Sequence, residues 1–512
     1  MIAKDNENDT MENVHLRMSS RVDLRKLAGK EAEYAKSRGD LSLNAIHSDS
    51  RRVTPGSAFF ALPGLRTNGN DHLQEAVQRG ARVIVTDSED VDIPSGAVRV
   101  KVDDARVALA KFSKKYHNSP DEALRVIGVT GTNGKTTVST LTRHLLEEPG
   151  RPVGLVGTVK YHLGDRVLPS FRTTPEASDL YALLRNMLVG GCSEAVMEVS
   201  SHGIHQSRVS GLNLEVAAFL NLSRDHLDYH GNMESYFREK RKLFNGTNGS
   251  LPRVVVINGD CPYGKRLLEE LPPQVRALTF GFDEGNDFRA SELTMDAHGS
   301  QFVMESPAGS IIANSPLIGR YNVHNVLASF AIVHALGRSV ADSIRKLSGF
   351  GGVEGRMEVV DRGQNYRVVV DYAHTPDALR NALGMLRECT KGKVRLVFGC
   401  GGERDRGKRM EMTRVACAGA DSAIATSDNP RRESLKSIFN DMKKGLSRDS
   451  DVRFVEDRRR AISRILDEAQ EGDCVLIAGK GHEVFQEVNY TSIPFDDRQV
   501  TAELIDTKQM VK

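Results

Sequence analysis

The segment between Arg125 and Leu146 constrains this chain more than any other stretch of its sequence. The apolar residues 126–129 predict a buried strand, residues 130–135 form a glycine-rich turn, and residues 136–146 have the periodicity of a helix. A turn of this kind directs backbone amides and the following helix N-terminus at phosphate oxygens. It ends in Gly-Lys-Thr-Thr, as a P-loop does, although Val129 replaces the first glycine of the strict pattern. We therefore expect nucleotide binding here, with a tight structural turn and a surface lysine as the alternative.

Each characteristic residue of the turn has a separate expected role. Gly131 and Gly134 allow the backbone to curl, so that successive amides can face phosphate oxygens. Lys135 supplies a positive charge for the β- and γ-phosphates, and the hydroxyl of Thr136 or Thr137 can bind Mg²⁺.

The length of the chain predicts more than one domain. Its 512 residues exceed the usual size of one domain, roughly 100–200 residues. Strand-like and helical stretches alternate in two long parts of the chain, a pattern typical of parallel sheets covered by helices. We predict an α/β fold with a disordered tail (residues 1–20), a small mixed domain (21–120), a central P-loop domain with a parallel sheet (121–352) and a Rossmann-like domain (353–512).

Composition excludes several classes of function. The 70 Lys and Arg residues nearly balance the 68 Asp and Glu residues, giving a net charge of +2, so no basic surface for nucleic acid is expected. No stretch approaches the ~18 apolar residues of a membrane span, and the polar N-terminus does not resemble a signal peptide. The six cysteines include no Cys-x-x-Cys pair and are expected to be reduced thiols. These features favour a cytoplasmic protein.

Two further segments place ionisable side chains at the ends of predicted strands. Glu198 lies in the run 195–199, and Asp225, His226 and Asp228 follow another apolar run. Ligands bind at the carboxyl ends of parallel strands, so Glu198 is a candidate Mg²⁺ ligand and the second segment a candidate for metal or phosphate chemistry. A solvent-facing glutamate and an ordinary surface loop are the alternatives.

Several longer motifs stand in a fixed order along the chain. They are residues 49–51, 64–70, 130–137, 197–203, 222–231, 371–377, 401–408, 428–431 and 479–483. In this order they resemble the motifs of the Mur ligases of peptidoglycan synthesis, in particular the MurE type, which adds the third amino acid to the nucleotide-linked peptide precursor. The resemblance covers nearly the whole chain, and it implies a uridine-binding N-terminal domain.

The resemblance implies an ATP-dependent amide ligase. Its substrate carboxylate would first become an acyl phosphate, and phosphoryl transfer needs positioning and charge neutralisation more than covalent help from the protein. Lys135 would neutralise the γ-phosphate, and Arg356 would counter the developing charge. Lys240 and His226 complete the implied catalytic set. His374 would shape its loop.

The resemblance also implies two Mg²⁺ ions. Lys240 would ligate only as a carbamate derived from CO₂, because a bare ammonium repels a cation; from sequence alone it would be an ordinary surface lysine. The implied ligands of the two ions are Thr136, Thr137, Glu198, His226 and Lys240.

Three binding regions follow from the same resemblance. The implied ATP-binding residues are Gly131, Thr132, Asn133, Gly134, Lys135, Thr136, Thr137, Asn325, Asp371 and Tyr372. The residues implied to hold the UDP-MurNAc-dipeptide are Ser50, Asn68, Thr173, Thr174, Ser200, Gln206 and Arg208. The residues implied to hold the added amino acid are Asp428, Asn429, Pro430, Arg431, Gly479 and Glu483.

The identity of the added amino acid depends on Arg431. A guanidinium binds a carboxylate through two parallel N–H groups, so Arg431 suits the second carboxylate of meso-diaminopimelate. Glu483 and the Gly479 carbonyl suit its second ammonium. L-Lysine is the alternative substrate, and a solvated charge run that includes Arg432 is the alternative interpretation of Arg431.

Two other functions compete with amide ligation. A phosphotransferase or GTPase would need only the phosphate loop, but the chain has no Asn-Lys-x-Asp tetrapeptide for guanine. A non-catalytic nucleotide-binding scaffold would be favoured if Lys135, Glu198 or His226 were missing, and all three are present. We expect a monomer without nucleic-acid or membrane partners.

Overall fold

The computed structural model describes residues 21–28, 33–34, 41–64, 67–296, 299–448, 450–489 and 491–511. The predicted tail, residues 1–20, lies outside the described residues. Within these ranges no helix is both long enough and apolar enough to cross a membrane.

The N-terminal part forms a five-stranded sheet in the order β2-β7-β6-β5-β4, beside the small antiparallel pair β1-β3. Its strands are β1 Val22–Asp23, β2 Glu33–Tyr34, β3 Ser42–Leu43, β4 Ile46–His47, β5 Ser57–Phe60, β6 Ala81–Thr86 and β7 Val98–Lys101. Its helices are α1 Leu24–Ala28, α2 Leu73–Gln78 and α3 Ala105–Tyr116. Short 3-10 turns cover Ser50–Arg52 and Gly69–His72.

The central part is built on an eleven-stranded sheet in the order β11-β10-β9-β12-β8-β13-β14-β15-β16-β17-β18. The strands from β9 to β16 in that order pair in parallel, and antiparallel strands extend both edges. The strands are β8 Arg125–Thr130, β9 Val153–Val156, β10 Lys160–His162, β11 Val167–Pro169, β12 Glu194–Glu198, β13 Val216–Phe219, β14 Val254–Asn258, β15 Arg276–Gly281, β16 Phe288–Met295, β17 Ser300–Ser306 and β18 Gly309–Ser315. The helices are α4 Lys135–Leu146, α5 Ala177–Val189, α6 Ser201–His205, α7 Leu227–His230, α8 Met233–Arg241, α9 Pro262–Glu269, α10 Arg320–Ala335 and α11 Val340–Leu347.

The C-terminal part contains a six-stranded sheet in the order β19-β20-β24-β21-β22-β23, parallel except at β19, and the hairpin β25-β26. The strands are β19 Glu358–Val359, β20 Arg367–Asp371, β21 Val394–Cys400, β22 Ser422–Ser427, β23 Val452–Phe454, β24 Cys474–Ala478, β25 Phe485–Val488 and β26 Thr491–Pro494. The helices are α12 Pro376–Cys389, α13 Gly407–Gly419, α14 Leu435–Lys443, α15 Arg458–Glu468 and α16 Asp497–Val511.

Buried strands position the site. β8, β12 and β13 lie side by side in the middle of the central sheet, and nearly all of their side chains are shielded from solvent. Apolar side chains on their two faces belong to two separate cores, as expected for a sheet covered by helices on both sides. The α/β architecture with parallel sheets is confirmed. The domain limits 21–120, 121–352 and 353–512 stay predictions.

Candidate active site

The glycine-rich turn joins β8 to α4, so the strand, loop and helix predicted from sequence are observed. Gly134 has φ +88°, and a Cβ there would lie 2.4 Å from Asn325 Oδ1, so a larger residue would both strain the backbone and clash. Lys135 Nζ donates to the carbonyl oxygens of Gly131 and Thr132, each at 2.9 Å. Burial lowers the pKa of Lys135. The amine is therefore held over the loop that would receive the phosphates.

Glu198 ends β12 next to this loop and is 1% exposed. Its carboxylate accepts hydrogen bonds from Thr136 Oγ1 at 3.0 Å and from the Thr158 amide and hydroxyl, both at 2.8 Å. A carboxylate and hydroxyls are oxygen donors of the kind that Mg²⁺ prefers. Position alone had left open a solvent-facing glutamate, and the burial of Glu198 makes that alternative wrong.

The described residues contain no group of three or more His, Cys, Asp or Glu side chains able to hold a metal by themselves. Mg²⁺ does not require such a group, because it keeps several waters and binds one or two carboxylates together with substrate phosphates. Glu198 with the Thr136 hydroxyl fits that requirement.

Lys240 lies in α8 and is also buried, at 1% exposure. Its Nζ donates to Thr130 Oγ1 at 3.2 Å and to the Gly131 carbonyl at 3.0 Å, and it lies 4.9 Å from the centre of the Tyr236 ring. Lys135 donates to the same Gly131 carbonyl. Burial first, and then the neighbouring Lys135 charge, hold the pKa of Lys240 well below its usual value. The surface-lysine alternative is therefore wrong.

His226 precedes α7 with φ +54°, a left-handed conformation that is costly for a residue other than glycine. Its Nε2 lies 3.3 Å from Asp225 Oδ2, and its ring lies edge-on to that of His202, with the centroids 4.7 Å apart. Burial lowers the pKa of His226 and keeps the imidazole neutral, which is the form that ligates metals.

Arg356, from the C-terminal part of the chain, reaches the phosphate loop. Arg356 Nη2 donates to Thr136 Oγ1 at 3.3 Å, and its guanidinium lies 4.5 Å from the centre of the Tyr372 ring. Asp371 Oδ2 accepts from the Met357 amide at 2.8 Å, next to Arg356 in the chain, and burial raises the pKa of Asp371. Because Met357 has φ +48°, this contact holds a strained backbone beside Arg356.

One cavity of about 410 Å³ collects these groups. The predicted residues that line it are Thr132, Asn133, Gly134, Lys135, Thr136, Thr137, Thr173, Glu198, Ser200, His226, Asn325, Arg356, Asp371 and Tyr372. Gly131 and Lys240 lie behind the loop and contact it as described above. The predicted ATP-binding and metal residues are thus brought together.

A smaller pocket of about 140 Å³ adjoins this cavity, since Asp225, His226, Tyr372 and His374 line both. Of the residues predicted to bind the amino acid, those that line the smaller pocket are Asp428, Asn429, Arg431, Gly479 and Glu483. Pro430 does not line it. The arrangement places a polar pocket next to the cavity that the phosphate loop lines.

Acidic groups in the smaller pocket have different partners. Asp428 Oδ2 is buried without a hydrogen-bond partner among the described residues, and Lys480 with Arg458 lowers the pKa of Asp428 against the opposing effect of burial. Glu483 Oε2 accepts from Lys480 Nζ and from Asn429 Nδ2, both at 2.8 Å. Asp428 Oδ2 therefore has unused acceptor capacity, while one oxygen of Glu483 is already engaged.

Four of the residues predicted to bind the nucleotide-linked precursor form one network beside Glu198. Thr174 Oγ1 donates to the Glu198 carbonyl at 2.9 Å and accepts from the Ser200 amide at 3.0 Å. Arg208 donates to the Thr174 carbonyl at 2.8 Å and to Gln206 Oε1 at 2.6 Å. Thr173, the residue before Thr174, contacts the Thr158 hydroxyl at 3.0 Å.

The other two predicted precursor residues lie in the N-terminal part. Ser50 Oγ donates to Glu75 at 2.7 Å, and Asn68 Oδ1 caps a 3-10 turn by accepting from the Asn70 amide at 3.0 Å. Neither Ser50 nor Asn68 lines the two pockets. Their role in binding stays a prediction.

The chain is similar to known proteins along most of its length. Residues 42–117 match the model of the Mur ligase family catalytic domain, residues 129–333 that of the Mur ligase middle domain, and residues 355–481 that of the Mur ligase glutamate ligase domain. The chain is 42% identical over 459 residues to the UDP-N-acetylmuramoyl-L-alanyl-D-glutamate--2,6-diaminopimelate ligase of Solibacter usitatus, covering 89% of this chain and 92% of that protein.

The chain belongs to the Mur ligase family. A relative of the same name from Geobacillus kaustophilus is 42% identical over 468 residues, 90% of this chain and 94% of the relative. A solved structure of a protein of that name is 34% identical, covers 96% of this chain and 100% of its own, and superposes with a TM-score of 0.68. The predicted family and enzyme class, an ATP-dependent ligase, are confirmed.

Sequence reasoning missed several contributors to this Mur ligase site. Thr158 holds Glu198, and Asn221 braces the loop by accepting from the Asn133 amide at 2.9 Å and donating to its carbonyl at 3.0 Å. Lys480, which is fully buried, holds Glu483. Asn221 ends an apolar run and Lys480 lies inside one of the motifs, so the sequence contained a feature from which each could have been predicted. Thr158 had no such feature.

Proposed function

We propose that this Mur ligase adds meso-diaminopimelate to UDP-N-acetylmuramoyl-L-alanyl-D-glutamate at the expense of ATP. The observation that carries the proposal is the small pocket containing Arg431, which adjoins the cavity lined by the phosphate loop, and the names of the relatives support it. We expect the enzyme to act as a monomer in the cytoplasm, in the synthesis of peptidoglycan precursors.

The first step transfers the γ-phosphoryl group of ATP to the substrate carboxylate, giving ADP and an acyl phosphate. Lys135 and Arg356 approach the loop from different elements, so that both can contact the transferred group. Mg²⁺, when bound, would offset negative charge on the phosphates. Thr136 or Thr137 and Glu198 would hold the first ion, with the remaining predicted ATP contacts made by Asn325, Asp371 and Tyr372.

Lys240 and His226 would hold the second Mg²⁺ once Lys240 carries a carbamate. The uncharged Lys240 nitrogen would attack the carbon of CO₂. An N–C bond forms, one C–O π bond breaks onto oxygen, and the nitrogen loses a proton, so the product is an anionic carbamate. The burial of Lys240 and its lowered pKa support this, because only the uncharged amine is nucleophilic. A carboxylate-like group here would also replace the repulsion between Lys240 and Lys135 by attraction.

In the second step the amine of the added amino acid attacks the acyl carbon. An amide bond forms, phosphate leaves, and the nitrogen loses a proton. Arg431 would bind the distal carboxylate, and Asp428, whose Oδ2 lacks a partner among the described residues, would accept from the distal ammonium together with Glu483. Asn429, Pro430 and Gly479 would shape the pocket.

The nucleotide-linked precursor would extend from the phosphate loop towards the N-terminal part. Its peptide and sugar would contact the predicted residues Thr173, Thr174, Ser200, Gln206 and Arg208, which lie close to Glu198. Ser50 and Asn68 would meet the uridine diphosphate. The N-terminal part is held to α5 by the Arg52–Asp179 ion pair at 3.1 Å, which supports a binding surface shared by both parts.

Replacing Arg431 tests the assignment of the amino acid. We expect Arg431→Ala to lower kcat/KM for meso-diaminopimelate about a hundredfold, because the distal carboxylate loses its paired N–H donors. Arg432→Ala is a matched control, since Arg432 is the next residue and is exposed. Steady-state kinetics with all three substrates give the measurement. Equal diaminopimelate use by wild type and Arg431→Ala would refute this role.

A further inference from the structure

The hairpin β25-β26 adds a short strand pairing to the loop that carries Arg431. Arg431 and Val488 form a parallel bridge: the Arg431 amide donates to the Glu487 carbonyl at 3.0 Å, and the Asn489 amide donates to the Arg431 carbonyl at 2.9 Å. Arg431 itself has φ +54°. The hairpin therefore holds Arg431 in a backbone conformation that a non-glycine residue rarely adopts.

Side chains of the hairpin extend the same attachment to the rest of the loop. Gln486 Nε2 donates to the Asp428 carbonyl at 2.6 Å and to Ser427 Oγ at 2.8 Å. The Glu487 amide donates to Asn429 Oδ1 at 3.0 Å. The loop that contributes to the amino-acid pocket is thus held by the hairpin. The two are distant in sequence, since Glu487 and Asn429 are 58 residues apart.

Two groups hold the guanidinium of Arg431 in place. Its Nε lies 2.9 Å from Glu487 Oε2, and its Nη1 donates to the Gly402 carbonyl at 2.8 Å. The two side chains are 19% and 34% exposed, so the pair is partly shielded from water. Arg431 lines the amino-acid pocket, whereas Glu487 does not. Glu487 therefore contacts Arg431 without itself lining the pocket.

We propose that Glu487 is a positioning residue that sets the specificity of the amino-acid pocket through Arg431. The proposal rests on the proposed function, since it assumes that Arg431 binds a carboxylate of the amino acid. An arginine side chain has several rotatable bonds, and binding a carboxylate through parallel N–H groups requires one orientation of its planar end. The ion pair to Glu487 and the bond to Gly402 impose that orientation before the substrate arrives. The Arg431 side chain therefore does not have to become ordered during binding.

Glu487→Gln keeps the size of the side chain and removes its charge. We expect it to raise KM for meso-diaminopimelate about fivefold, consistent with a partly exposed ion pair, while kcat and the KM values for ATP and the precursor stay unchanged. Discrimination against L-lysine should fall by a similar factor, because lysine has no distal carboxylate. Glu487→Asp should recover part of the loss. Glu503→Gln, which removes an exposed ion pair to Arg459 in the same part of the chain, is the control.

A double-mutant cycle separates positioning from a general structural effect. If Glu487 acts through Arg431, adding Glu487→Gln to Arg431→Ala should not raise KM further. A wild-type KM in Glu487→Gln, or full additivity in the double variant, would overturn the inference while leaving the proposed function intact. Failure of the wild type to use diaminopimelate would instead refute the proposed function itself, and the inference with it.

Discussion

Lys240→Ala should lower the rate of ligation about a thousandfold, because it removes the group proposed to hold the second Mg²⁺ beside the transferred phosphate. A short carboxylic acid such as formate or acetate, added to this variant, should restore part of the activity by supplying the missing anion. The expectation depends on the burial of Lys240 and on its contact with the Gly131 carbonyl, which place the amine at the phosphate loop. Ligation rates measured with and without the acid test it.

Lys242→Ala is the matched control, since Lys242 follows the same helix, is 36% exposed and pairs with Glu239. It should retain wild-type activity. In wild-type protein supplied with ¹³C-labelled bicarbonate, a carbamate resonance should appear in the ¹³C spectrum and be absent from Lys240→Ala. No carbamate resonance in wild type, together with no rescue of the variant, would show that Lys240 acts as an ordinary amine.

Lys135→Ala should also lower kcat about a thousandfold, because the γ-phosphate loses its positive partner as charge develops. The fold should persist, since among the described residues the amine bonds only two carbonyls of its own loop, those of Gly131 and Thr132. We expect the thermal midpoint to change by less than about 4 °C. Turnover and thermal unfolding, measured on the same preparation, separate catalysis from stability.

Lys265→Ala removes another lysine of the central part, one that is 57% exposed and paired with Asp283. Its kinetics should match those of wild type. Carboxylic acids should not rescue Lys135→Ala, because its defect is a missing cation. Wild-type turnover in Lys135→Ala would contradict the assignment of the loop to the phosphates of ATP.

The local sequence was sufficient to predict secondary structure where neighbouring residues determine it. The run that became β8 is continuously apolar and is followed by Gly131 and Gly134, so strand, turn and helix were each specified within a few residues. The strands β16 to β18 were not predicted. Along β16 and β17 buried and exposed positions alternate imperfectly, and polar residues interrupt the apolar pattern. Their antiparallel pairing with one another, and the parallel pairing of β16 with β15, decide their conformation.

Site geometry was predictable only in part, because tertiary contacts decide burial. Lys240 is flanked by Arg238, Arg241 and Lys242, and its sequence neighbourhood favours an exposed helix face. Its burial follows from the packing of α8 against the phosphate loop. Likewise, the ion pair between Arg431 and Glu487 joins residues far apart in the chain, and no local pattern specifies it.

The specificity of the wild-type enzyme tests the central claim most directly. With ATP, Mg²⁺ and UDP-N-acetylmuramoyl-L-alanyl-D-glutamate supplied, kcat/KM should be measured for meso-diaminopimelate and for L-lysine. Lysine lacks the distal carboxylate, so it would leave Arg431 without its partner in the pocket, and diaminopimelate should be preferred by at least about a hundredfold. Equal or better use of lysine would contradict the proposed function.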